Sequence, residues 1–312
     1  MKLQRLLSLT RQALDTYGLI QDGDRIAIGV SGGKDSLTLL HALHHLRRFY
    51  PEKYELCAIT VDLGLGNMDL EPVAAMCREF EIPYEIISTE IGAVLFDIRK
   101  ETNPCSLCAK MRKGALNEKA KEMGCNKIAY AHHRDDVIET MMMSLFYEGR
   151  FHSFSPLTYL DRMDLTVIRP MIFVTEADVI GFRNKYQLPV CKNPCPMDGY
   201  TKRQYIKELI HRLQEDNPPI IPAAVTISLA LWSIRKRSVR RSGSHSAALI
   251  IRYSTVQFSL TWVGKPAPPH PTIPASFICS NSVIYTLPSY ITQIPFFLII
   301  KKKDILYNEW AV

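Results

Sequence analysis

Acidic residues are scarce in the last third of this 312-residue chain. Residues 218–312 hold 10 lysines and arginines but only 2 aspartates and glutamates, whereas residues 1–217 hold 28 basic and 29 acidic side chains. The formal charge of +7 therefore belongs to the C-terminal segment and gives no reason to expect a nucleic-acid surface on the rest. We predict a domain at residues 1–217 and an atypical basic extension at residues 218–312.

The C-terminal extension also lacks a sustained hydrophobic period from which a second core could be built. It contains 10 of the 19 prolines. A poorly ordered tail and a segment translated from a shifted reading frame both fit this composition, and the abrupt break after a natural helix end favours the shifted frame. A membrane anchor at residues 282–300 is disfavoured because this uncharged stretch contains Pro288 and Pro295. We expect truncation after Asn217 to leave the fold intact.

The N-terminus has no long apolar run and no small-residue cleavage site, so we expect an amphipathic helix there rather than a secretory signal. The chain contains eight cysteines. Without a signal, these cysteines indicate a reducing, cytoplasmic compartment in which thiols serve metal binding or catalysis. No association with a membrane is expected.

Strand-like and helix-like patterns alternate from Arg25 to about Leu188. This alternation predicts an α/β fold, a Rossmann-like parallel sheet with helices on both faces. The predicted strands cover residues 25–30, 55–63, 84–88, 127–132 and 166–171. The predicted helices cover residues 37–49, 69–80, 106–123, 135–147, 176–185 and 201–214. Ligands gather at the carboxyl ends of such strands, so the segments that follow Val30, Val61 and Tyr130 should face one crevice.

The stretch AIGVSGGKDSLTLLHAL passes from an apolar strand through small residues into an amphipathic helix. Its glycines let the backbone approach a ligand closely, and a helix N-terminus offers free N–H groups to a phosphate. The common P-loop has a serine or threonine after its lysine, whereas Asp35 follows Lys34 here. A glycine-rich turn with a capping serine is the simpler alternative. The candidate phosphate loop consists of Ser31, Gly32, Gly33, Lys34, Asp35 and Ser36.

Two pairs of cysteines suggest a metal site. Cys105 and Cys108 form a C-x-x-C motif, whose spacing lets both sulfurs reach one metal. Cys191 and Cys195 follow in the stretch VCKNPCPMDGYTKRQYIKEL. The spacing leaves three interpretations open: incidental cysteines, a four-thiolate zinc site, or an iron–sulfur cluster on the first pair and one later cysteine. Three thiolates on a four-iron cluster leave one iron open to an exogenous sulfur.

Polar residues end the fourth predicted strand in the stretch AHHRDDVIET. Asp135 or Asp136 can cap the following helix, and the histidines would then be merely exposed. Alternatively, His132 and Asp135 contact a nucleotide or its magnesium ion. Asp62, at the end of the second strand, has a similar but weaker claim.

Basic residues follow both cysteine pairs. If both segments reach the crevice, these residues could hold RNA phosphates, although solvated helix faces would look the same. They are Lys110, Arg112, Lys113, Lys119, Lys202, Arg203 and Lys207.

The motif SGGKDS resembles the pyrophosphate loop of the N-type ATP pyrophosphatases. With PCSLCAKMRKGAL, AHHRDDVIETMMMSLFYEGR and a proline–cysteine before a basic helix, the order of motifs over about residues 1–215 resembles the tRNA 2-thiocytidine biosynthesis family. The resemblance implies a [4Fe-4S] cluster on Cys105, Cys108 and Cys195. The second family motif is usually itself C-x-x-C, and Asp198 stands where its second cysteine would be. Cys191 therefore stays an alternative third ligand.

The resemblance implies an ATP-dependent tRNA 2-sulfurtransferase. It would adenylate the C2 carbonyl oxygen of a cytidine, at anticodon-loop position 32 in the family, and replace it with sulfur from a donor such as a cysteine desulfurase. Thiolation of a uridine, another PP-loop tRNA modification such as lysidine synthesis, and a non-catalytic nucleotide- and metal-binding sensor are the alternatives. Lysidine synthesis needs no thiols, so the cysteines count against it. A homodimer is left open.

The resemblance also assigns roles to residues. Those implied to bind ATP and magnesium are the six of the phosphate loop with Asp62, His132 and Asp135. Those implied to take part in catalysis are Lys34, Asp35, Cys105, Cys108 and Cys195.

Overall fold

The computed structural model describes residues 1–66, 68–100, 104–192, 194–197 and 202–217, and two short strands further on. The Cα positions divide the chain into two units, Met1–Ser242 and Gly243–Val312. In the second unit, strands Ser282–Tyr285 and Leu298–Lys301 pair antiparallel. The predictions of disorder, a shifted frame or an anchor for the rest of residues 218–312 lie outside the described residues. Over the described part of the chain, no helix has the length and apolar character needed to cross a membrane.

A six-stranded sheet forms the centre of the first unit. Its strands are β1 (Asp24–Gly29), β2 (Tyr54–Asp62), β3 (Tyr84–Ser88), β4 (Lys127–Ala129), β5 (Leu157–Leu160) and β6 (Leu165–Ile168). Their order is β3-β2-β1-β4-β6-β5. All neighbours are parallel except β5 and β6, which are antiparallel. The carboxyl ends of β1, β2, β4 and β6 therefore share one edge.

Eight helices are described in this unit. They are α1 (Leu3–Tyr17), α2 (Lys34–Leu46), α3 (Glu71–Glu79), α4 (Ile91–Ala93), α5 (Pro104–Glu122), α6 (Arg134–Glu148), α7 (Glu176–Tyr186) and α8 (Lys202–Asp216). A π-helical turn, Val94–Ile98, continues α4. The N-terminal amphipathic helix is confirmed as α1.

Helices cover both faces of the sheet. Successive side chains of a strand point to opposite faces, so those of β1 pack on both sides. On β1, Ile26 and Ile28 pack into the larger core with α1, α2, α3 and α7. Ala27 points the other way and packs with Leu116 and Ala120 of α5. The predicted α/β sheet with helices on both faces is confirmed.

Some local features differ from the sequence prediction. β4 ends at Ala129 instead of residue 132. Its neighbour β6 is only four residues long, and Ala129 already pairs with Ile168, the last residue of β6. α2 begins at Lys34, so the end of the phosphate loop forms its first turn. The edge strand β5 was not predicted, since its half-buried residues pair on one side only and carry no clear alternation.

Candidate functional site

The phosphate loop has a backbone that requires glycine at one position. Gly32 has φ +74°, which side-chain-bearing residues rarely adopt. A Cβ atom at Gly32 would also lie 2.7 Å from Cε of Met68 and 3.0 Å from Cβ of Cys191. The loop is thus fixed both by its own conformation and by the residues packed against it.

The two serines hold the loop from within. The Ser36 hydroxyl donates to the carbonyl oxygen of Gly33 at 3.0 Å and accepts the N–H of Ser31 at 3.2 Å. The Ser31 hydroxyl in turn accepts the N–H of Gly33 at 3.4 Å. Gly33 is the N-cap residue of α2, and no side chain caps this helix start. The first-turn N–H groups are left to the loop opening, which suits an anionic ligand.

Lys34 stands between two carboxylates. Its Nζ lies 3.0 Å from Oδ2 of Asp35 and 3.3 Å from Oε1 of Glu176, the first residue of α7. Burial lowers the pKa of Lys34, but the charges and hydrogen bonds of Asp35 and Glu176 outweigh it, and the pKa is raised. The ammonium group therefore stays charged at neutral pH.

His133, rather than His132, faces the phosphate loop. It is the N-cap residue of α6, where its Nδ1 accepts the N–H of Asp136 at 3.3 Å and its own N–H donates to Asp136 at 2.9 Å. Since Nδ1 is an acceptor, the neutral ring carries its proton on Nε2. That Nε2 lies 3.6 Å from Oδ1 of Asp35, a buried oxygen for which the structure shows no hydrogen-bond donor.

His132 makes its described contacts elsewhere. Its Nδ1 accepts the Nε–H of Arg169 at 3.2 Å, and its ring stacks on Phe154 with centroids 4.6 Å apart. Burial, aided by the charge of Arg169, lowers the pKa of His132 to about 3. The ring is therefore neutral, and its assignment to the nucleotide stays a prediction.

The two other predicted carboxylates, Asp135 and Asp62, each accept a hydrogen bond from a backbone N–H group. Oδ2 of Asp135 accepts the N–H of Glu176 at 2.7 Å, which ties the start of α6 to the start of α7. Oδ1 of Asp62 accepts the N–H of Gly64 at 3.1 Å. Both residues lie where the strand-end rule puts them, and their magnesium-binding role stays a prediction.

Cys108 lies near the thiols of Cys105 and Cys195. Cys105 is exposed in the first turn of α5, whereas Cys108 and Cys195 are half-buried. Burial raises the pKa of Cys108, the nearby Arg112 lowers it, and the charges of Cys195 and Cys105 raise it further. The second cysteine motif thus lies beside the first. Across the described ranges, no three His, Cys, Asp or Glu side chains are already arranged to hold a metal ion.

Cys191 packs under the phosphate loop instead. Its N–H donates to the carbonyl oxygen of Gly32 at 3.0 Å, and its thiol donates to the carbonyl oxygen of Asp69 at 3.1 Å. Four residues of extended chain span at most about 14 Å, so Cys195 cannot lie further than that from Cys191 along the chain. The thiol motif is therefore tethered beside the loop.

The basic helix α8 contacts acidic residues that surround the loop. Lys207 Nζ lies 2.6 Å from Oε1 of Glu176, and Arg203 lies 2.9 Å from Glu139 and 3.4 Å from Asp136. Lys119, by contrast, pairs with Glu122 at 3.4 Å near the C-terminal end of α5. The predicted basic residues therefore do not form one group, since Arg203 and Lys207 pair with the acidic residues near the loop and Lys119 pairs within α5.

Sequence reasoning did not single out His133, Glu176 or the contact of Cys191 with the loop. A signal for Glu176 did exist. It follows β6, whose carboxyl end lies at the same edge of the sheet as those of β1, β2 and β4. Applying the strand-end rule to that strand as well would have found it.

Comparison with known proteins is consistent with this geometry. A family model described as a PP-loop domain matches residues 4–213. Two similar curated proteins are each named tRNA-cytidine(32) 2-sulfurtransferase. That of Geobacter sulfurreducens is 37% identical over 220 residues, 70% of this chain and 86% of the relative. That of Syntrophotalea carbinolica is 39% identical over 218 residues, 69% of this chain and 84% of the relative.

A solved structure shares the fold. It is the U34-tRNA thiolase NcsA from Methanococcus maripaludis with its [4Fe-4S] cluster. The TM-score is 0.62 at 24% sequence identity, and the match covers 74% of this chain and 78% of that one. At this identity the likeness establishes the architecture alone.

Proposed function

The chain belongs to the PP-loop family and, within it, to the tRNA-cytidine(32) 2-sulfurtransferases, and on this premise we propose that it catalyses ATP-dependent thiolation of C2 of cytidine 32 in tRNA. The observation that carries the proposal is the hydrogen bond from the N–H of Cys191 to Gly32. It joins the second cysteine motif to the phosphate loop, which supports sulfur chemistry and nucleotide chemistry at one site. Lysidine synthesis, which uses an amine nucleophile, would need no connection between a cysteine motif and the phosphate loop.

The phosphate loop would bind the β- and γ-phosphates of ATP. The uncapped start of α2 supplies N–H donors, and Lys34 supplies a positive charge. Asp35 Oδ1 is buried without a donor, which suits the magnesium ion that accompanies ATP. Asp62 and Asp135 are the further proposed oxygen ligands.

The first chemical step would be adenylation. The C2 carbonyl oxygen of the cytidine forms a bond to the α-phosphorus, and the bond from that phosphorus to the bridging oxygen breaks. Pyrophosphate leaves with the negative charge that develops on it. Lys34 and the α2 N-terminus lie where this charge collects, so they stabilise the transition state more than the ground state.

The second step would replace oxygen with sulfur. Adenylation makes C2 electrophilic, a sulfur nucleophile forms a bond to C2, and AMP departs with the original oxygen. The chain contributes mainly by holding the two reactants in place, since no side chain is needed to take up a proton from C2.

Cys105, Cys108 and Cys195 would supply the thiolates that hold the proposed [4Fe-4S] cluster. Burial, with the nearby Cys195 and Cys105, raises the pKa of Cys108 against the charge of Arg112, and bound iron would favour its thiolate form. When bound, such a cluster supplies one iron without a protein ligand, which can hold a sulfur atom. Cys195 is favoured over Cys191 as third ligand, because Cys195 is the later cysteine whose charge acts on Cys108, whereas Cys191 packs against Gly32 of the phosphate loop. A cysteine desulfurase is the proposed sulfur donor.

Mass spectrometry of tRNA nucleosides tests the proposal. Cells that lack the chain should lack 2-thiocytidine, and the wild-type chain should restore it whereas Lys34→Ala should not. Loss of a 2-thiouridine instead would make the chain a uridine thiolase. Unchanged nucleosides, with no tRNA-dependent release of pyrophosphate from ATP, would leave only a nucleotide- and metal-binding sensor.

A further inference from the structure

Glu176 shares one carboxylate oxygen between two lysines. Its Oε1 lies 3.3 Å from Nζ of Lys34 in the phosphate loop and 2.6 Å from Nζ of Lys207 on α8. The Glu176 side chain is 18% exposed, and its backbone N–H is held by Asp135. The carboxylate is therefore fixed beside the loop, although it belongs to a different helix.

We propose that Glu176 opposes the binding of nucleotide phosphates at Lys34, and that Lys207 weakens this opposition. The proposal rests on the proposed function, which assigns ATP to the loop. Two residues outside the loop would thus set its affinity for ATP.

The opposition follows from the position of the charges. A phosphate that approaches Lys34 comes close to the carboxylate already bound to that lysine, and like charges repel. The pKa of Glu176 is lowered, because its pairs with Lys207 and Lys34 outweigh the effect of burial. The carboxylate is therefore ionised at neutral pH.

Lys207 reduces the repulsion between the Glu176 carboxylate and the phosphate. Its ammonium group is the nearer of the two partners of Glu176, and it neutralises part of the charge that the phosphate meets. Loss of Lys207 would leave Lys34 as the sole ammonium partner among the described pairs of Glu176. The lysine would then be held more firmly away from the nucleotide.

The signs of the effects can be measured with ATP as the probe, by calorimetric titration of the full chain. Glu176→Gln should tighten ATP binding and Lys207→Met should weaken it, each about fivefold, as for a partly exposed ion pair. In the double variant, Lys207→Met should have no effect beyond that of Glu176→Gln alone. Lys121→Met is the matched control, because Lys121 is a helical lysine that pairs at 3.2 Å with Asp164, a residue outside the site.

Other outcomes overturn the proposal. Weaker binding by Glu176→Gln would mean that the carboxylate orients Lys34 usefully. Weakening by Lys207→Met that persists in the double variant would mean that Lys207 acts on the nucleotide without Glu176. A change in Tm with no change in ATP affinity would mean a purely structural role.

The proposed function fails in a distinguishable way. If the wild-type chain does not bind ATP, or if Lys34→Ala binds it as well as wild type, the nucleotide site itself is wrong and the inference falls with it. If binding depends on Lys34 and the Glu176 and Lys207 variants equal the control, only the inference falls. Should Glu176→Gln not fold, Glu176→Asp, whose side chain is one methylene shorter, replaces it in the single and the double variant.

Discussion

The phosphate loop and the thiol motif are built in different ways. The loop is held by hydrogen bonds of Ser31 and Ser36 and by close packing against Gly32. In the thiol motif, burial and then the nearby Cys195 and Cys105 raise the pKa of Cys108, which disfavours the thiolate form that a metal needs. The fold thus shapes the loop before any ligand binds, whereas a bound cation would be needed to favour the thiolate form of Cys108.

The largest expected effect separates the two later cysteines. Cys195→Ser should abolish thiolation and the absorbance of the cluster near 400 nm in anaerobically purified protein, because it removes a proposed ligand. Cys191→Ser should keep most of both, since the N–H bonded to Gly32 belongs to the backbone. The measurements are 2-thiocytidine formation and the absorption spectrum.

The same two variants test whether the phosphate loop binds ATP independently of the cluster. ATP binding should be unchanged in Cys195→Ser, because the hydrogen bonds that hold the loop come from Ser31, Ser36 and the backbone of Cys191. If ATP binding is lost with the cluster, the two regions form one cooperative site. If Cys191→Ser loses the cluster and Cys195→Ser does not, the third ligand is Cys191.

A second change removes the charge of the loop. Lys34→Ala should lower the rate of tRNA-dependent pyrophosphate release by about 10²–10³-fold, the usual cost of one lost group that stabilises developing charge. The cluster absorbance should not change. Lys121→Ala serves as the surface control, and a rate for Lys34→Ala near that of the control would refute the role of the loop in catalysis.

A third change tests whether the loop is shaped in advance. Gly32→Ala places a Cβ at φ +74° and 2.7 Å from Met68, so we expect a loss of about 1–3 kcal/mol in the free energy of unfolding and weaker ATP binding. Gly114→Ala is the matched control, because a Cβ there meets no atom within 4 Å. In the middle of α5 it should stabilise by about 0.5–1 kcal/mol. Urea unfolding measures both, and equal effects would mean that the loop adapts to its ligand.

Sequence patterns predicted the parts of this molecule that depend on short segments. The strands and helices around Ser31, Asp62 and Ala129 follow from hydrophobic period and turn residues, and the strand-end rule brought their carboxyl ends together. The short edge strand β5 and the short helix α4 escaped because neither has a long enough period to be recognised.

The parts that depend on tertiary contacts could not be predicted in this way. The local sequence does not show that Asp35 of α2 approaches His133 or that Arg169 approaches His132. The pairing of Glu176 with Lys34 and Lys207 likewise joins three helices, of which α2 is far from α7 and α8 in the chain. Such contacts are set by how the helices pack.

The smallest expected effect concerns pH and extends the comparison to His132, which lies away from the loop. The pKa of His132 is lowered from 6.5 to about 3, so the folded state binds fewer protons than the unfolded state between these values. Its contribution is fully present above about pH 6.5 and is lost as the pH falls toward 3, with a slope of at most about 1.4 kcal/mol per pH unit. His41 and His44, whose pKa values are lowered by burial to about 4, act in the same direction. Wild type should therefore lose stability to urea between pH 7 and pH 5, and His132→Asn, which has no titrating ring, should lose measurably less. An equal loss in both proteins would mean that His132 is protonated in the fold and that its bond with Arg169 does not hold it neutral.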